Sequence, residues 1–266
     1  MSELTKRILF AVPAAALFIW VAWAGGVFFN AVMALLAAGT VWEVWRILRK
    51  AGYNAFLTGS LGIAAVLWGT PWLGSPFLAG FGIAILCLTL LAVFSTKAGW
   101  AQKWLSTLFC GIYPTFGYFL AVGVRDLGAG QDGFWLILAL FLMIWGNDVF
   151  AYFGGKSFGK RKLAPAISPN KTWEGFAFGI LGAVTGAFIS WALVTNFPLT
   201  LAQLIPAAAI VSITGPMGDL LESKLKRLAE MKDSSSLLPG HGGLFDRFDA
   251  LILSAPFIFF YFTLFV

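Results

Sequence analysis

Residues 134–153 read FWLILALFLMIWGNDVFAYF, and this stretch determines the class of fold. An α-helix needs about 20 predominantly apolar residues to cross the hydrocarbon core of a bilayer. The stretch has that length and carries one charged residue, Asp148. A carboxylate within a membrane helix costs roughly 2.5–3.5 kcal/mol on insertion scales. Asp148 therefore either belongs to a buried ion pair that fixes helix packing or has a function, and we favour a function.

Apolar runs of similar length recur along the whole chain. Hydrophobic residues make up 59% of the 266 residues and charged residues 11%, with a mean hydropathy of +0.85. Ordinary soluble domains have about 45–50% apolar and about 25% charged residues. The composition excludes a typical cytosolic enzyme, a disordered chain and a secreted disulfide scaffold. We predict an all-α, polytopic integral membrane helix bundle with nine spans, near residues 8–24, 27–46, 54–71, 75–95, 105–124, 134–153, 175–195, 202–222 and 250–266.

The basic residues support this layout. If the N-terminus is cytoplasmic, every one of the 18 Lys and Arg residues except Arg125 falls on the inner side, as the positive-inside rule requires. The net charge of +6 therefore indicates membrane topology and not nucleic-acid binding. We predict a multi-pass protein of the inner (plasma) membrane. It forms a single domain, 1–266, in which 1–130 is mainly lipid-embedded and 140–250 holds a site facing the cytoplasm.

Three other features have ordinary interpretations. The basic start and the apolar run after it resemble a signal peptide, but we favour an uncleaved first span because many similar spans follow. Cys87 and Cys110 lie in apolar runs and are interpreted as packing residues. Glu43 lies near an inner helix end, and we expect it to pair with Arg46 and Arg49 in a structural role.

The eighth span contains the first group of candidate site residues. Gly215-Pro216 interrupts the apolar run, so we predict a kinked span with a break there and a new helix beginning near Pro216. The positive end of that helix would attract anions. One face would then carry acid, hydroxyl and base, with Arg227 beside it. The residues of that face are Asp219, Ser223, Lys226 and Glu230.

The segment that follows is rich in serine, glycine and acid. Ser234, Ser235 and Ser236 precede the run from Pro239 to Asp249, PGHGGLFDRFD. Glycines allow close approach of a ligand to the backbone, and free N–H groups can hold phosphate oxygens. Asp246 and Asp249 are three residues apart and would face one way on a helix. Carboxylates favour Mg²⁺. Zinc sites use several His or Cys ligands, and His241 is the only histidine in the chain, so zinc is disfavoured.

A second inner loop extends from about 153 to 175. Its GGKSFGK sequence at 154–160 resembles a phosphate-binding loop, but Arg161 replaces the required Ser or Thr and no strand precedes it, so we reject that match. Lys171, within SPNKTWEG at 168–175, is the better candidate for binding a ligand. Carboxylates, bases and flexible loops together favour metal-assisted phosphoryl or nucleotidyl transfer.

The segment from Ser223 to Asp249 resembles the C-terminal motif of the phosphatidate cytidylyltransferases, also called CDP-diacylglycerol synthases. Residues 147–175 are similar to the same family, so the likeness covers about 145–249. Every fixed position of the 27-residue motif is filled. These positions are Ser223, Leu225, Lys226, Arg227, Lys232, Asp233, Ser235, Leu238, Pro239, His241, Gly242, Gly243, Leu244, Asp246, Arg247, Phe248 and Asp249.

The resemblance implies that CTP and phosphatidate give CDP-diacylglycerol and pyrophosphate, with Mg²⁺ and an open number of metal ions. It implies a homodimer and contact with membrane lipids, but no nucleic acid. The metal ligands would be Asp219, Asp246 and Asp249, with Asp148 less surely, and Lys226 and His241 would join these aspartates in catalysis. Substrate binding would involve Ser168, Asn170, Lys171, Ser223, Arg227, Lys232 and Arg247.

Three alternatives remain open at this point. A CTP-dependent kinase of polyprenols or other lipid alcohols shares part of the C-terminal layout, but it would transfer the γ-phosphoryl group and release CDP. A transporter would place charges along several spans, whereas the first five spans here have almost none in their middles. A structural membrane protein would not need the Gly, Ser and His loop.

Overall fold

We describe the fold from a computed structural model, in which residues 3–237 and 242–266 are described. Within these residues the chain forms nine helices and one short hairpin, in the order α1 Glu3–Ala24, α2 Gly26–Lys50, α3 Leu57–Trp68, α4 Ser75–Val93, α5 Trp100–Arg125, α6 Asp132–Phe158, β1 Lys162–Ala164, β2 Ser168–Thr172, α7 Trp173–Ala192, α8 Leu201–Leu228 and α9 Phe245–Phe262. The all-α class is confirmed, and each helix corresponds to one predicted apolar run.

Six helices in the described part of the chain are long and apolar enough to cross a membrane: α2, α4, α5, α6, α7 and α8. The chain is therefore a multi-pass membrane protein. Helix α3 differs from the prediction, because its 12 residues span only about 18 Å at 1.5 Å per residue. That helix alone is too short for the full crossing predicted at 54–71. Helix α9 begins at Phe245, five residues before the predicted span.

Helices α6 and α7 approach each other until their backbones touch. A Cβ on Gly146 would lie 2.3 Å from the carbonyl oxygen of Gly182, and a Cβ on Gly182 would lie 2.1 Å from that of Gly146. One turn further along α7, a Cβ on Gly186 would meet the Leu142 carbonyl oxygen at 2.2 Å. Small residues at such positions are the usual means of close helix packing in membranes. This packing fixes the two helices that flank the β1–β2 hairpin.

Helix α8 runs without interruption through Gly215 and Pro216, so the predicted break and the new helix start near Pro216 are wrong. Proline removes one helical hydrogen bond, but neighbouring helices allow membrane helices to continue through it. Helix α8 packs against both α7 and α9. The anion field that we expected from a helix N-terminus at Pro216 is therefore absent.

The position of Arg125 has a structural explanation. Arg125, the one basic residue that the predicted topology places on the outer side, donates from Nε to the carbonyl oxygen of Ala22 at 2.6 Å and from Nη2 to that of Trp23 at 3.2 Å. It thereby satisfies carbonyls in the last turn of α1, where cations are favoured.

Cys110 is buried and donates to the carbonyl oxygen of Val41 at 3.2 Å, while Cys87 is exposed on α4. Both cysteines are free.

We predict that Gly182→Ala destabilises the protein by about 1–3 kcal/mol, because the added methyl group forces the α6 and α7 backbones apart. The matched control is Gly80→Ala in α4, where a Cβ meets nothing within 4 Å and which should be neutral or stabilising by up to about 1 kcal/mol. Thermal unfolding in detergent measures both. Equal melting temperatures for the two variants would contradict the close contact.

Candidate active site

Three carboxylates from two helices meet near the end of α8. Asp219 and Glu222 are three residues apart on α8 and share a face, and Asp249 lies in the second turn of α9. One carboxylate oxygen from each lies within 4.8 Å of the other two. Gly218 makes this possible, because a Cβ there would lie 2.4 Å from the carbonyl oxygen of Asp249. The absence of a side chain lets α8 approach α9 at the carboxylates.

Lys226 joins this cluster to the start of α9. Its Nζ lies 2.5 Å from Glu222 Oε1 and 2.8 Å from Asp246 Oδ1. Both carboxylates are largely buried, with side chains 3% and 7% exposed. Buried charges persist when they are paired and hydrogen-bonded. Lys226 is therefore committed to two carboxylates on different helices, and it holds those helices together.

The Asp246 carboxylate receives further donors from the loop before α9. Its Oδ2 accepts hydrogen bonds from the backbone N–H of Ser234 at 3.0 Å and of Gly243 at 2.7 Å. Burial by itself raises the pKa of Asp246, but the ion pair with Lys226 and the hydrogen bonds from these two N–H groups outweigh burial. The pKa of Asp246 therefore lies well below its ordinary value, and the group is ionised.

Lys171 reaches the carboxylates from the hairpin. Its Nζ lies 2.7 Å from Asp219 Oδ2 and donates to the carbonyl oxygen of Pro216 at 3.3 Å. The hairpin covers a cavity of about 490 Å³ whose lining includes Asn147, Asp148, Lys156, Asn170, Lys171 and Asp219. The cavity therefore combines acid, base and amide groups, and two of the carboxylates predicted as metal ligands face it.

The hairpin is anchored at both ends. Glu174 accepts hydrogen bonds from the backbone N–H of Lys160 at 3.0 Å and of Arg161 at 3.1 Å. Thr172 caps α7 by accepting from the Gly175 N–H at 3.1 Å, as N-cap threonines do. At the turn, Arg227 Nε donates to the carbonyl oxygen of Ile167 at 3.4 Å. These anchors hold Lys171 over α8.

The remaining predicted residues occupy different positions. Ser223 Oγ lies 3.3 Å from Asp219 and 3.4 Å from Glu222, so it belongs to the cluster. Ser168 begins β2, where it pairs with Ala164. Lys232 and Arg247 are exposed, the first after α8 and the second in the first turn of α9. His241 lies outside the described residues.

Two acidic residues have roles that the sequence analysis missed. Glu222 completes the carboxylate cluster, and its spacing of three from Asp219 and four from Lys226 was the available signal. Glu43 is fully buried and binds the loop before α9, so its predicted pairing with Arg46 and Arg49 is wrong. The two guanidinium carbons lie instead over the rings of Trp42 at 4.7 Å and Trp45 at 5.2 Å.

The carboxylate cluster has the chemistry of a divalent cation site. Mg²⁺ binds oxygen ligands at about 2.0–2.1 Å in an octahedron, which places ligand oxygens about 3–4 Å apart. The oxygens of Asp219, Glu222 and Asp249 lie within 4.8 Å of one another, so small side-chain movements suffice. Three carboxyl groups, of which Asp219 also lines the cavity, supply the oxygen ligands that Mg²⁺ prefers. Asp246 is engaged with Lys226, and its predicted metal role remains a prediction, as does that of Asp148.

A helical membrane protein with clustered carboxylates, lysines and a polar cavity at one end defines an integral membrane enzyme of phosphoryl or nucleotidyl transfer. Residues 5–265 match the family model described as "Cytidylyltransferase family". The chain therefore belongs to the cytidylyltransferase family.

Several curated relatives have the same name. The chain is 33% identical over 280 residues to "Phosphatidate cytidylyltransferase" of Bacillus subtilis, with all of both chains covered. It is 32% identical over 282 residues to the protein of that name from Brucella melitensis, covering all of this chain and 95% of the relative. With the Haemophilus influenzae protein of that name it is 46% identical over 139 residues, covering 50% of this chain and 47% of the relative.

We predict that Gly218→Ala weakens divalent cation binding by about ten- to a hundredfold, because the methyl group separates Asp219 from Asp249. Mutations of groups that orient metal ligands reduce metal affinity by about this factor. Titration with Mn²⁺ followed by electron paramagnetic resonance measures the affinity. Gly62→Ala in α3, where a Cβ meets nothing within 4 Å, is the control. Wild-type affinity in Gly218→Ala would show that the cation site does not depend on the close approach of α8 to α9.

Proposed function

We propose that this chain is a phosphatidate cytidylyltransferase, converting CTP and phosphatidate into CDP-diacylglycerol and pyrophosphate. The observation that carries the proposal is the match to relatives of that name over the full length of both chains. The site agrees with the chemistry, because its groups are cations and carboxylates and the reaction joins two polyanions. A lipid phosphate is itself the nucleophile, so the site needs no serine or cysteine nucleophile.

In this reaction an oxygen of the lipid phosphate attacks the α-phosphorus of CTP. A new P–O bond forms as the bond from the α-phosphorus to the oxygen bridging to the β-phosphorus breaks, and pyrophosphate leaves with that electron pair. Catalysis of such a transfer consists of alignment and neutralisation of charge. Lys171 lines the cavity and Arg227 on α8 contacts the turn of the hairpin that covers it, and we assign both to the phosphates.

We propose that Asp219, Glu222 and Asp249 hold Mg²⁺. When bound, the ion supplies neutralisation of phosphate charge and orientation of the phosphates. Lys226 holds Glu222 and Asp246 at fixed positions, and Ser223 does the same for Asp219. Asp148 on the cavity wall is the candidate ligand for a second cation.

We also propose the setting of the reaction. The chain forms one domain in the inner membrane, with the cavity open to the cytoplasm where CTP is dissolved. The positive-inside distribution of its bases supports this orientation. The lipid phosphate enters from the bilayer surface while its acyl chains stay among the helices. A homodimer is expected from the family.

The test of the function is transfer of label in purified protein. Protein in detergent receives phosphatidate, Mg²⁺ and CTP labelled at the α-phosphate, and we expect label in the lipid fraction with equimolar pyrophosphate. A parallel sample has CTP labelled at the γ-phosphate and an added polyprenol. Lipid label from the γ-phosphate, with CDP released, would establish the lipid kinase instead.

We predict that Asp219→Asn and Asp249→Asn each lower kcat by about 10²–10³-fold, because each variant keeps the shape of the side chain but loses a charged metal ligand. Steady-state kinetics across a range of Mg²⁺ concentrations measures this loss. Asp132→Asn, at the far end of α6, removes the same charge away from the site and should keep wild-type kinetics. Full Mg²⁺-dependent turnover by Asp219→Asn or Asp249→Asn would remove that residue from the metal site.

A further inference from the structure

Glu43 is a buried carboxylate in the N-terminal half of the chain, far in sequence from the site. It lies on α2 and is 0% exposed. Its Oε1 accepts from Ser235 Oγ at 2.5 Å and from the Leu244 N–H at 2.9 Å. Its Oε2 accepts from Ser234 Oγ at 2.9 Å and from the Phe245 N–H at 2.7 Å. A buried carboxylate that receives four donors is compensated by hydrogen bonds.

These four donors come from two short segments, 234–235 and 244–245. The first segment follows α8, and the second stands where α9 starts. Each oxygen of Glu43 binds one donor from each segment, so the carboxylate clamps the two segments together. The two N–H groups are also among those that a helix leaves unsatisfied at its N-terminus, and Glu43 therefore caps α9 from another helix.

The clamp is connected directly to the candidate active site. Ser234 Oγ lies 2.9 Å from Glu43 Oε2 and 3.1 Å from Asp246 Oδ2. The Ser234 N–H binds the same Asp246 oxygen at 3.0 Å, and Asp246 holds Lys226 at 2.8 Å. A chain of contacts thus runs from α2 through the loop to the lysine that binds Glu222.

The groups that form the clamp are closely packed. A Cβ on Gly243 would lie 1.9 Å from Ser234 Oγ and 2.5 Å from Glu43 Oε1. The glycine backbone therefore fits directly against the carboxylate. A carboxylate is also the one group of this size that accepts from all four donors. Glutamine would turn its N–H₂ group toward one serine hydroxyl, which can accept, and one backbone N–H, which would lose its acceptor.

We propose that Glu43 is a positioning residue for cytidylyl transfer, which clamps the segments 234–235 and 244–245 together and thereby fixes Asp246 and Lys226. Only the expected effect on turnover rests on the proposed function. The clamp itself is a property of the protein without substrate. Displacement of site groups by about 1 Å can reduce turnover about 10²-fold, and that is the loss we expect on release of the clamp.

The test combines amide hydrogen exchange with kinetics on the full-length protein. In Glu43→Gln we expect exchange in the peptides covering 233–247 to accelerate at least about tenfold, while peptides of α6 and α7 keep wild-type exchange. We expect kcat to fall about 10²-fold with KM for CTP within about threefold. Glu43→Asp, which keeps the charge on a shorter side chain, should recover about tenfold of that loss.

Two further variants keep the proposal falsifiable if Glu43→Gln folds poorly. Ser235→Ala removes one of the four donors, and we expect a smaller acceleration of exchange in the same peptides and a loss of kcat of about three- to tenfold. Asp132→Asn is the matched control for loss of an acidic charge and should change neither measurement.

Wild-type exchange of the loop in both Glu43→Gln and Ser235→Ala would overturn the clamp. Loss of activity in proportion to the loss of folded protein, with exchange accelerated everywhere, would overturn the positioning role and leave a purely structural one. If the wild-type protein transfers no cytidylyl group, the proposed function fails, but the exchange measurement still decides whether Glu43 closes the loop.

Discussion

The double ion pair of Lys226 with Glu222 and Asp246 is the interaction on which the site depends. Acidic side chains at the edge of a membrane bundle repel one another and are costly to bury. Lys226 offsets that cost for one carboxylate on α8 and one on α9, at 2.5 Å and 2.8 Å. Because the same lysine binds both helices, the electrostatic compensation also fixes their relative position. Asp219, which lines the cavity and pairs with Lys171, and Asp249 are the two carboxylates of the cluster that Lys226 does not bind.

The rest of the fold serves this arrangement through close backbone contacts. Gly218 lets α8 approach α9 at Asp249, and the glycines shared by α6 and α7 fix the helices on either side of the hairpin. The hairpin in turn brings Lys171 to Asp219. Helix α2 contributes Glu43, so the N-terminal half also contacts the segments that hold Asp246.

Composition and the lengths of the apolar runs predicted the helical class and the order of the helices. These features follow from local hydropathy and from the length that a bilayer requires. Pro216 suggested a break in α8 because helix propensity depends only on local sequence. The neighbouring helices that keep α8 continuous do not enter into it. Glu43 was assigned to nearby arginines because its actual partners, Ser234, Ser235 and the start of α9, are about 200 residues away along the chain. The hairpin at 162–172 was missed because its strands are short and polar.

The central claim is that Asp219, Glu222 and Asp249 form the cation site while Asp246 is held by Lys226. A crystal of the protein soaked in Mn²⁺, with anomalous diffraction recorded at the manganese edge, tests it most directly. The account predicts an anomalous peak within about 2.3 Å of an oxygen from each of Asp219, Glu222 and Asp249, with the Lys226–Asp246 pair intact. A peak bound by Asp246, with Lys226 displaced from it, would contradict the account.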